Sequence, residues 1–224
     1  MDEETVFQDR RAAGRALAAA LQHLRAAAPI VMALPRGGVP AGFEVARALG
    51  APLDVLLVRK LGAPGQAELG LGAVVDGADP QVVLNEDVLA EVAPPPGYIA
   101  AETARQLAEI ERRRARYRGS APAPAVRGRT VIVVDDGIAT GGTMKAALRG
   151  LRAAGAGPLV LAVPVAPADT LEMLAAECDE TVCLATPSPF QAVGAHYADF
   201  TQTTDAEVVR LLAEARAPAE PGAS

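Results

Sequence analysis

The sequence predicts an α/β fold, an open, mostly parallel, twisted sheet flanked by helices, and three observations lead there. Short apolar runs recur at 30–34, 53–58, 131–134 and 158–165, in the manner of strands buried on both faces. Segments of helical periodicity separate them, and such alternation of strand and helix is the mark of a parallel sheet. Two of the runs pass straight into glycine-rich turns that open helices. In sheets of this kind ligands lie beyond the carboxyl ends of the strands.

Residues 8–28 suit a first helix, with Leu17, Leu21, Leu24 and Ala28 on one apolar face, ended by Pro29. A strand at 30–34 leads into Pro35, Arg36, Gly37 and Gly38, then a helix over 40–49. A third strand, 53–58, ends in Arg59 and Lys60. Glycines at 62, 65, 70 and 72 permit hinging, and 77–80 forms a tight turn between apolar runs 73–75 and 82–84. Residues 61–84 thus read as a flexible β-hairpin whose mobile arm is 61–70.

Pro94, Pro95 and Pro96 break the chain before a helix over 98–117, with Ile99, Thr103, Leu107 and Ile110 tracing a narrow apolar face. This helix turns basic at Arg112, Arg113, Arg114, Arg116 and Arg118. The basic run reads as a solvated helix end, favoured by the helix dipole and paired to Glu109; a subunit contact or an extra phosphate clamp is the alternative. A linker over 120–125 returns to the central strand. A strand at 158–165, a helix at 169–177, an edge strand at 180–185 and a helix at 204–215 capped by Thr204 or Asp205 complete the order. The expected organisation is one domain over 1–217, with an insertion and linker at 85–125, a small C-terminal hood at 186–203 and a disordered tail at 218–224.

Composition narrows the function classes. Hydrophobic residues make up 50% of the 224, but no uninterrupted apolar stretch approaches the ~20 residues of a membrane helix. A net charge of -6 disfavours a broad nucleic-acid-binding surface. Cys178 and Cys183 are the only cysteines and His23 and His196 the only histidines, with no zinc-ligand spacing. The acidic start MDEETVFQDRR lacks the order of a secretory signal, so the cytoplasm is expected.

The most informative run is VIVVDDGIATGGTM, Val131 to Met144. A buried strand is followed by Asp135 and Asp136, then by Gly137, Gly141 and Gly142 interleaved with Thr140 and Thr143. Glycines let a backbone approach a phosphate closely, with N–H groups converging at a helix N-terminus. The two aspartates would repel that phosphate, so they face something else attached to it. A sugar diol fits, because ionised carboxylates are pure acceptors. The run lacks the lysine of a GxxxxGK[ST] loop and the glycine spacing of GxGxxG. Arg36 beside Gly37 and Gly38 likewise suggests a cation and backbone donors aimed at a second anion.

This run resembles the phosphoribosyl pyrophosphate (PRPP) motif of type I phosphoribosyltransferases, in strand, acid pair, small-residue turn and helix. The resemblance implies that Asp135 and Asp136 hold the ribose hydroxyls while Ile138, Ala139, Thr140, Gly141, Gly142 and Thr143 wrap the 5-phosphate. PRGG resembles the pyrophosphate loop of the same family, which often carries a cis peptide, and an Arg-Lys pair often stands where Arg59 and Lys60 do. A mobile loop would then close over an oxocarbenium-like transition state and exclude water. Mg²⁺ is implied as cofactor, held mainly by PRPP.

Of the chain's aromatics, Phe190, Tyr197 and Phe200 cluster within a short segment, offering either a flat surface for an aromatic acceptor or a small satellite core. That segment resembles the hood of some purine enzymes, on which likeness Phe190, Val193 and Tyr197 would line the acceptor pocket and Asp199 could pair with the acceptor. Ala139 stands where enzymes for 6-oxopurines commonly have an aspartate, which counts against those bases unless Asp199 or Glu68 replaces it. The acceptor stays open between purine-like and adenine- or orotate-like signals. The resemblance implies a transferase acting on PRPP and a small nitrogen acceptor, commonly a homodimer. A non-catalytic PRPP or nucleotide sensor and an RNA-binding attenuator relying on the 112–118 arginines are the rival readings.

Overall fold

The computed structural model describes residues 7–217. Its centre is a five-stranded parallel sheet of β1 (Ile30–Ala33), β2 (Leu53–Val55), β6 (Val131–Val134), β7 (Leu159–Val165) and β8 (Glu180–Ala185), ordered β2-β1-β6-β7-β8. Every residue of β1, β6 and β7 is buried. Alternation splits them between two cores, as a pleated strand requires. Val31, Ala33, Ile132 and Val134 face α1 (Arg10–Ala20), α2 (Gly38–Leu49) and α7 (Asp205–Arg216) through Leu17, Phe43 and Leu211. Ile30, Met32, Val131 and Val133 face α5 (Gly142–Ala153) and α6 (Ala168–Ala175) through Met144, Leu148 and Leu174. The expected α/β sheet flanked by helices is the observed fold, and no described helix is long and apolar enough to cross a membrane.

The strand order sets the site. From β1 the chain moves to one side, to β2, and later returns on the other side of β1 as β6. The turns after β1 and β6 therefore leave adjacent parallel strands in opposite directions, which opens a crevice at their carboxyl ends.

Several elements depart from the sequence-based expectation. The first helix stops at Ala20, and Gln22–Ala27 forms a 3₁₀ turn ending at Ala28 in a left-handed conformation, φ 45°. Leu17 and Leu21 are buried, Leu24 is half-buried and Ala28 is exposed, because the tighter turn rotates the later positions off the core face. The strand expected at 53–58 is two: β2 ends at Val55, and β3 (Val58–Ala63) begins a separate antiparallel sheet with β4 (Gln66–Val75) and β5 (Gln81–Leu84). Arg59 and Lys60 thus lie within a strand rather than at an exit. The 61–70 arm is itself paired, Leu61 to Gly72 and Ala63 to Gln66, with irregular register around Gly62. The turn at 77–80 falls where expected, since Val75 pairs with Gln81. The tail at 218–224 lies outside the described residues.

After α3 (Glu86–Val92) comes α4 (Tyr98–Arg118), which buries Glu102, Gln106, Ile110, Tyr117 and Arg118. The face expected from Ile99, Thr103 and Leu107 is only half-buried. The inward face is instead satisfied by polar contacts: Arg59 Nε donates to Gln106 Oε1 at 3.0 Å, and Gln106 Nε2 donates to Glu102 Oε1 at 2.8 Å. The basic run is not wholly solvated either. Arg118 is enclosed, its Nε 2.8 Å from Asp54 Oδ2 and its Nη2 3.3 Å from Asp76 Oδ2, and Arg114 also pairs with Asp76. Two buried carboxylates from β2 and the β4–β5 turn thereby pin the carboxyl end of α4.

Burial raises the Asp54 pKa above its ordinary 3.8, with Arg118 opposing the rise. A carboxyl raised in this way favours the fold most below its unfolded value and loses that contribution as pH climbs through its folded one. Removing Arg118 raises Asp54 further and leaves Asp76 to Arg114 alone. Arg118→Met is therefore expected to cost about 3–5 kcal/mol at neutral pH, with a smaller deficit near pH 4, measured by urea unfolding at both pH values.

Candidate functional site

The turns after β1 and β6 meet. Asp135 and Asp136 cap β6, and the loop 35–38 lies directly against them. A Cβ on Gly37 would overlap the Asp136 carboxylate, and one on Gly38 would stand 2.6 Å from Val134 O and 3.2 Å from Asp135 Oδ1. Glycine at both positions is what permits the approach. The Pro35–Arg36 peptide is cis, the conformation the family resemblance implies for this loop.

The two acids are in different environments. Asp136 accepts from Arg10 Nε at 2.6 Å, and its side chain opens into a cavity of about 690 Å³. Asp135 accepts the Asp136 amide at 2.9 Å. Burial, then the neighbouring Asp136 charge, pushes the Asp135 carboxyl well above the usual carboxylate range.

Arg36 faces the same cavity, half-exposed, with Nη1 3.7 Å from Asp205 Oδ1. Asp205 also takes Arg116 Nη1 at 2.8 Å and the Tyr117 hydroxyl at 2.6 Å. These contacts, led by the Tyr117 hydrogen bond, hold its carboxyl below the usual range. Arg112 and Arg113 complete the cationic wall, both donating to Glu109 at 2.8 Å and holding its carboxyl down at about 2.

The turn 138–143 runs from β6 into α5. Ile138 is buried and its amide donates to Val165 O at 3.0 Å, so it belongs to the core. Ala139 O accepts from Thr170 Oγ1 at 3.0 Å, tying the turn to α6. Gly141, at φ 74°, precedes the helix with no side-chain cap, and Lys145 makes the first helical bond back to Gly141 O at 2.8 Å. The amides of Gly142 and Thr143 lie ahead of that bond, in the position where helix termini take anions. Thr140 and Thr143 are exposed beside them.

Not all the expected site residues gather here. Arg59 turns to Gln106 of α4. Lys60, one residue on and on the other face of β3, lines a second cavity of about 420 Å³ with Gly142, Thr143 and Lys145. In the 186–203 segment, Tyr197 is buried in a small cluster with Phe7 and Ala13, and its hydroxyl donates to Asp136 O at 2.5 Å. Burial and the Asp136 charge raise its phenol pKa strongly. Phe190 stacks on His196 at 5.8 Å, and Val193 covers Gly137. Asp199 is exposed and accepts from its own Thr201 amide at 2.9 Å. None of these four faces the 690 Å³ cavity, where this segment is represented by Phe200, Gln202 and Thr203.

The residue that sequence reasoning missed is Arg10. Besides Asp136 it donates to Thr201 O at 2.7 Å and lies 3.9 Å over the Phe200 ring. A signal was present: Arg10 and Arg11 open a helix directly after its Asp9 cap, where the dipole disfavours cations, so something outside the helix must hold them. Arg11 finds Glu44 at 2.6 Å.

A parallel sheet whose switch point carries a cationic glycine loop, an acid pair and an uncapped helix terminus defines an α/β protein built to hold an anionic ligand. Comparison with known proteins makes the class specific. The family described as phosphoribosyl transferase domain matches residues 7–199. Two curated relatives from Mycobacterium tuberculosis, strains CDC 1551 and H37Rv, carry provisional phosphoribosyl transferase names; each is 50% identical over 219 residues, covering 97% of this chain and 49% of its own. The crystal structure of TT1426 from Thermus thermophilus matches with a TM-score of 0.83 and 47% identity, over 93% of this chain and 98% of that one. The chain belongs to the phosphoribosyl transferase domain family, and it spans about half the length of the curated relatives it matches.

Tyr197→Phe deletes the hydroxyl that joins the 186–203 segment to the acidic turn and leaves the partly buried Asp136 carbonyl without that donor. The expected loss is about 1–3 kcal/mol of stability, checked by thermal or urea unfolding against the parent protein.

Proposed function

We propose that this chain is a Mg²⁺-dependent phosphoribosyltransferase, moving the 5-phosphoribosyl group of PRPP to a small nitrogen acceptor, a nucleobase in the first instance, with release of pyrophosphate. One observation carries the reading: the Arg36 loop and the Asp136 carboxylate, from strands adjacent in space and far apart in sequence, open into the same cavity. A ligand with a diol between two phosphoryl ends matches that arrangement. In this reading Asp136, with Asp135 beside it, orients the ribose hydroxyls, the 139–143 turn takes the 5-phosphate on the first amides of α5, and Arg36 with the amides of Gly37 and Gly38 takes the pyrophosphate. Lys60, opening toward Gly142 and Thr143, stands nearer the 5-phosphate end than the pyrophosphate end.

The chemistry of the donor set fits Mg²⁺. A magnesium ion carried on phosphates keeps several waters and asks for one or two protein carboxylates, and Asp136 offers one to the cavity. When bound, the ion would neutralise charge on the departing pyrophosphate. Cytoplasmic location, a homodimeric state and a place in purine or pyrimidine salvage are further parts of the proposal, supported by family membership alone.

The test is pyrophosphate release from PRPP and Mg²⁺ across a panel of bases and small amines, with the ribosylated product read by mass spectrometry. Acceptor-dependent release is the expected result; tight PRPP binding with no release for any acceptor would favour the sensor reading. For the active pair, Arg36→Ala is expected to cost on the order of 3 kcal/mol, roughly a hundredfold in kcat/KM. Gly37→Ala keeps an ordinary backbone, φ -59°, but its methyl would push the Asp136 carboxylate off Arg10; its unfolding midpoint should drop modestly, and PRPP affinity, read by calorimetry, should fall at least about tenfold.

A further inference from the structure

We propose that Arg112, Arg113 and Arg116 of α4 form an anion subsite continuous with Arg36 and bind the pyrophosphoryl group of PRPP, the task that the sequence suggests for Arg59 and Lys60. The proposal rests on the transferase reading above and goes further, naming the side chains that take the leaving group's charge.

Charge is the first argument. Five guanidiniums, from Arg10, Arg36, Arg112, Arg113 and Arg116, line the cavity. Arg112 and Arg113 share one carboxylate, Glu109, and Arg36 and Arg116 share another, Asp205. Among the described residues, Arg10 pairs with Asp136, which takes no other side chain. Five positive charges against these three negative ones, counted among the described residues, leave a surplus of two, in a chain whose net charge is -6. A cavity that remains cationic after its internal pairing attracts a polyanion.

Connection is the second. Asp205 bridges Arg36 and Arg116, at 3.7 and 2.8 Å, so the α4 wall and the glycine loop converge on one carboxylate. A group that reaches Arg36 reaches Arg116 as well, and phosphoryl oxygens can take over the donors that Asp205 now holds. Guanidinium forks suit such oxygens better than ammonium groups do.

Placement is the third. Arg114 and Arg118 are committed to Asp76 and Asp54, which hold α4 in register. The same helix therefore turns Arg112, Arg113 and Arg116 toward the cavity, on a rigid element rather than on a loop. Arg59 is engaged by Gln106, and Lys60 opens to the other cavity, so neither meets the group that Arg36 faces.

The experiment compares the full-length chain, R112Q/R113Q/R116Q, the single R112Q and R59Q/K60Q for binding of inorganic pyrophosphate with Mg²⁺ by calorimetry, and for KM and kcat with PRPP where turnover is found. R112Q guards against misfolding, because Arg112 is largely exposed and, among the described residues, pairs only with Glu109. The expected result is pyrophosphate binding at least about tenfold weaker in the triple variant, a smaller weakening in R112Q, a matching rise in KM for PRPP in those two, and little change in the pyrophosphate binding of R59Q/K60Q. Unchanged binding in the triple variant, weakening confined to R59Q/K60Q, or a parent protein that does not bind pyrophosphate would each overturn the proposal. Pyrophosphate bound through α4 with no acceptor-dependent release would instead leave this subsite standing and remove the transferase reading.

Discussion

Two loops can share a ligand only if their backbones come into contact, and here the missing side chains of Gly37 and Gly38 make that contact possible. The loop after β1 packs on Val134, Asp135 and Asp136 with no room for even a methyl group. Strand order brings the two turns side by side, but order alone would leave a gap the width of a pair of side chains. With the gap closed, the Asp136 carboxylate and the Arg36 guanidinium open into one cavity. Arg10 then fixes the carboxylate from the far side, through a helix that begins 126 residues earlier in the chain.

The basic end of α4 divides its arginines by face. Arg118 and Arg114 enter a buried acidic pair, where each charge has a partner and the arrangement is costly to break in part. The remaining three stand over the cavity with two carboxylates between them and Arg36. The buried pairs supply position and the cavity-facing ones supply charge, and neither set could do both. A guanidinium matched inside the core has no field left for a ligand, while one wholly in solvent is screened and free to wander.

Much of this was legible in the sequence. The runs at 30–34, 131–134 and 158–165 announced strands buried on both faces, and the acid pair followed by glycines and threonines marked the turn after β6. The arginine between Pro35 and Gly37 marked its partner. What was not legible depends on contacts distant in sequence. The run LDVLLV reads as one strand, yet the chain changes sheets at the Leu56–Leu57 step, where the Leu56 amide still donates to Ala33 O of β1 and Leu57 O already accepts from the Asp76 amide just past β4, with both side chains buried. That break turns Arg59 and Lys60 to opposite faces of a second sheet. Counting arginines could not separate the two that anchor α4 from the three that face the cavity, since Asp54 and Asp76 are themselves unremarkable acids beside apolar runs. Tyr197 looked like a surface for an aromatic ring because its partner Phe7 belongs to the opposite end of the chain.

The hood that lines the larger cavity and the hairpin that lines the second are built with different rigidity. On the hood side, Phe7 and Gln8 take backbone hydrogen bonds from Ala198 and Asp199, Tyr197 donates to the Asp136 carbonyl, and Arg10 joins Thr201 to the Asp136 carboxylate. Displacing the acidic turn there means breaking several hydrogen bonds and an ion pair at once. On the hairpin side, the outer part of β4 from Gln66 to Leu69 is exposed, and its partner strand carries a register irregularity at Gly62. Segments with few buried apolar contacts open at the least free-energy cost. Of the two, energetics select the hairpin as the part that opens most readily and leave the acids, Arg36 and the α4 arginines as the fixed frame of the larger cavity.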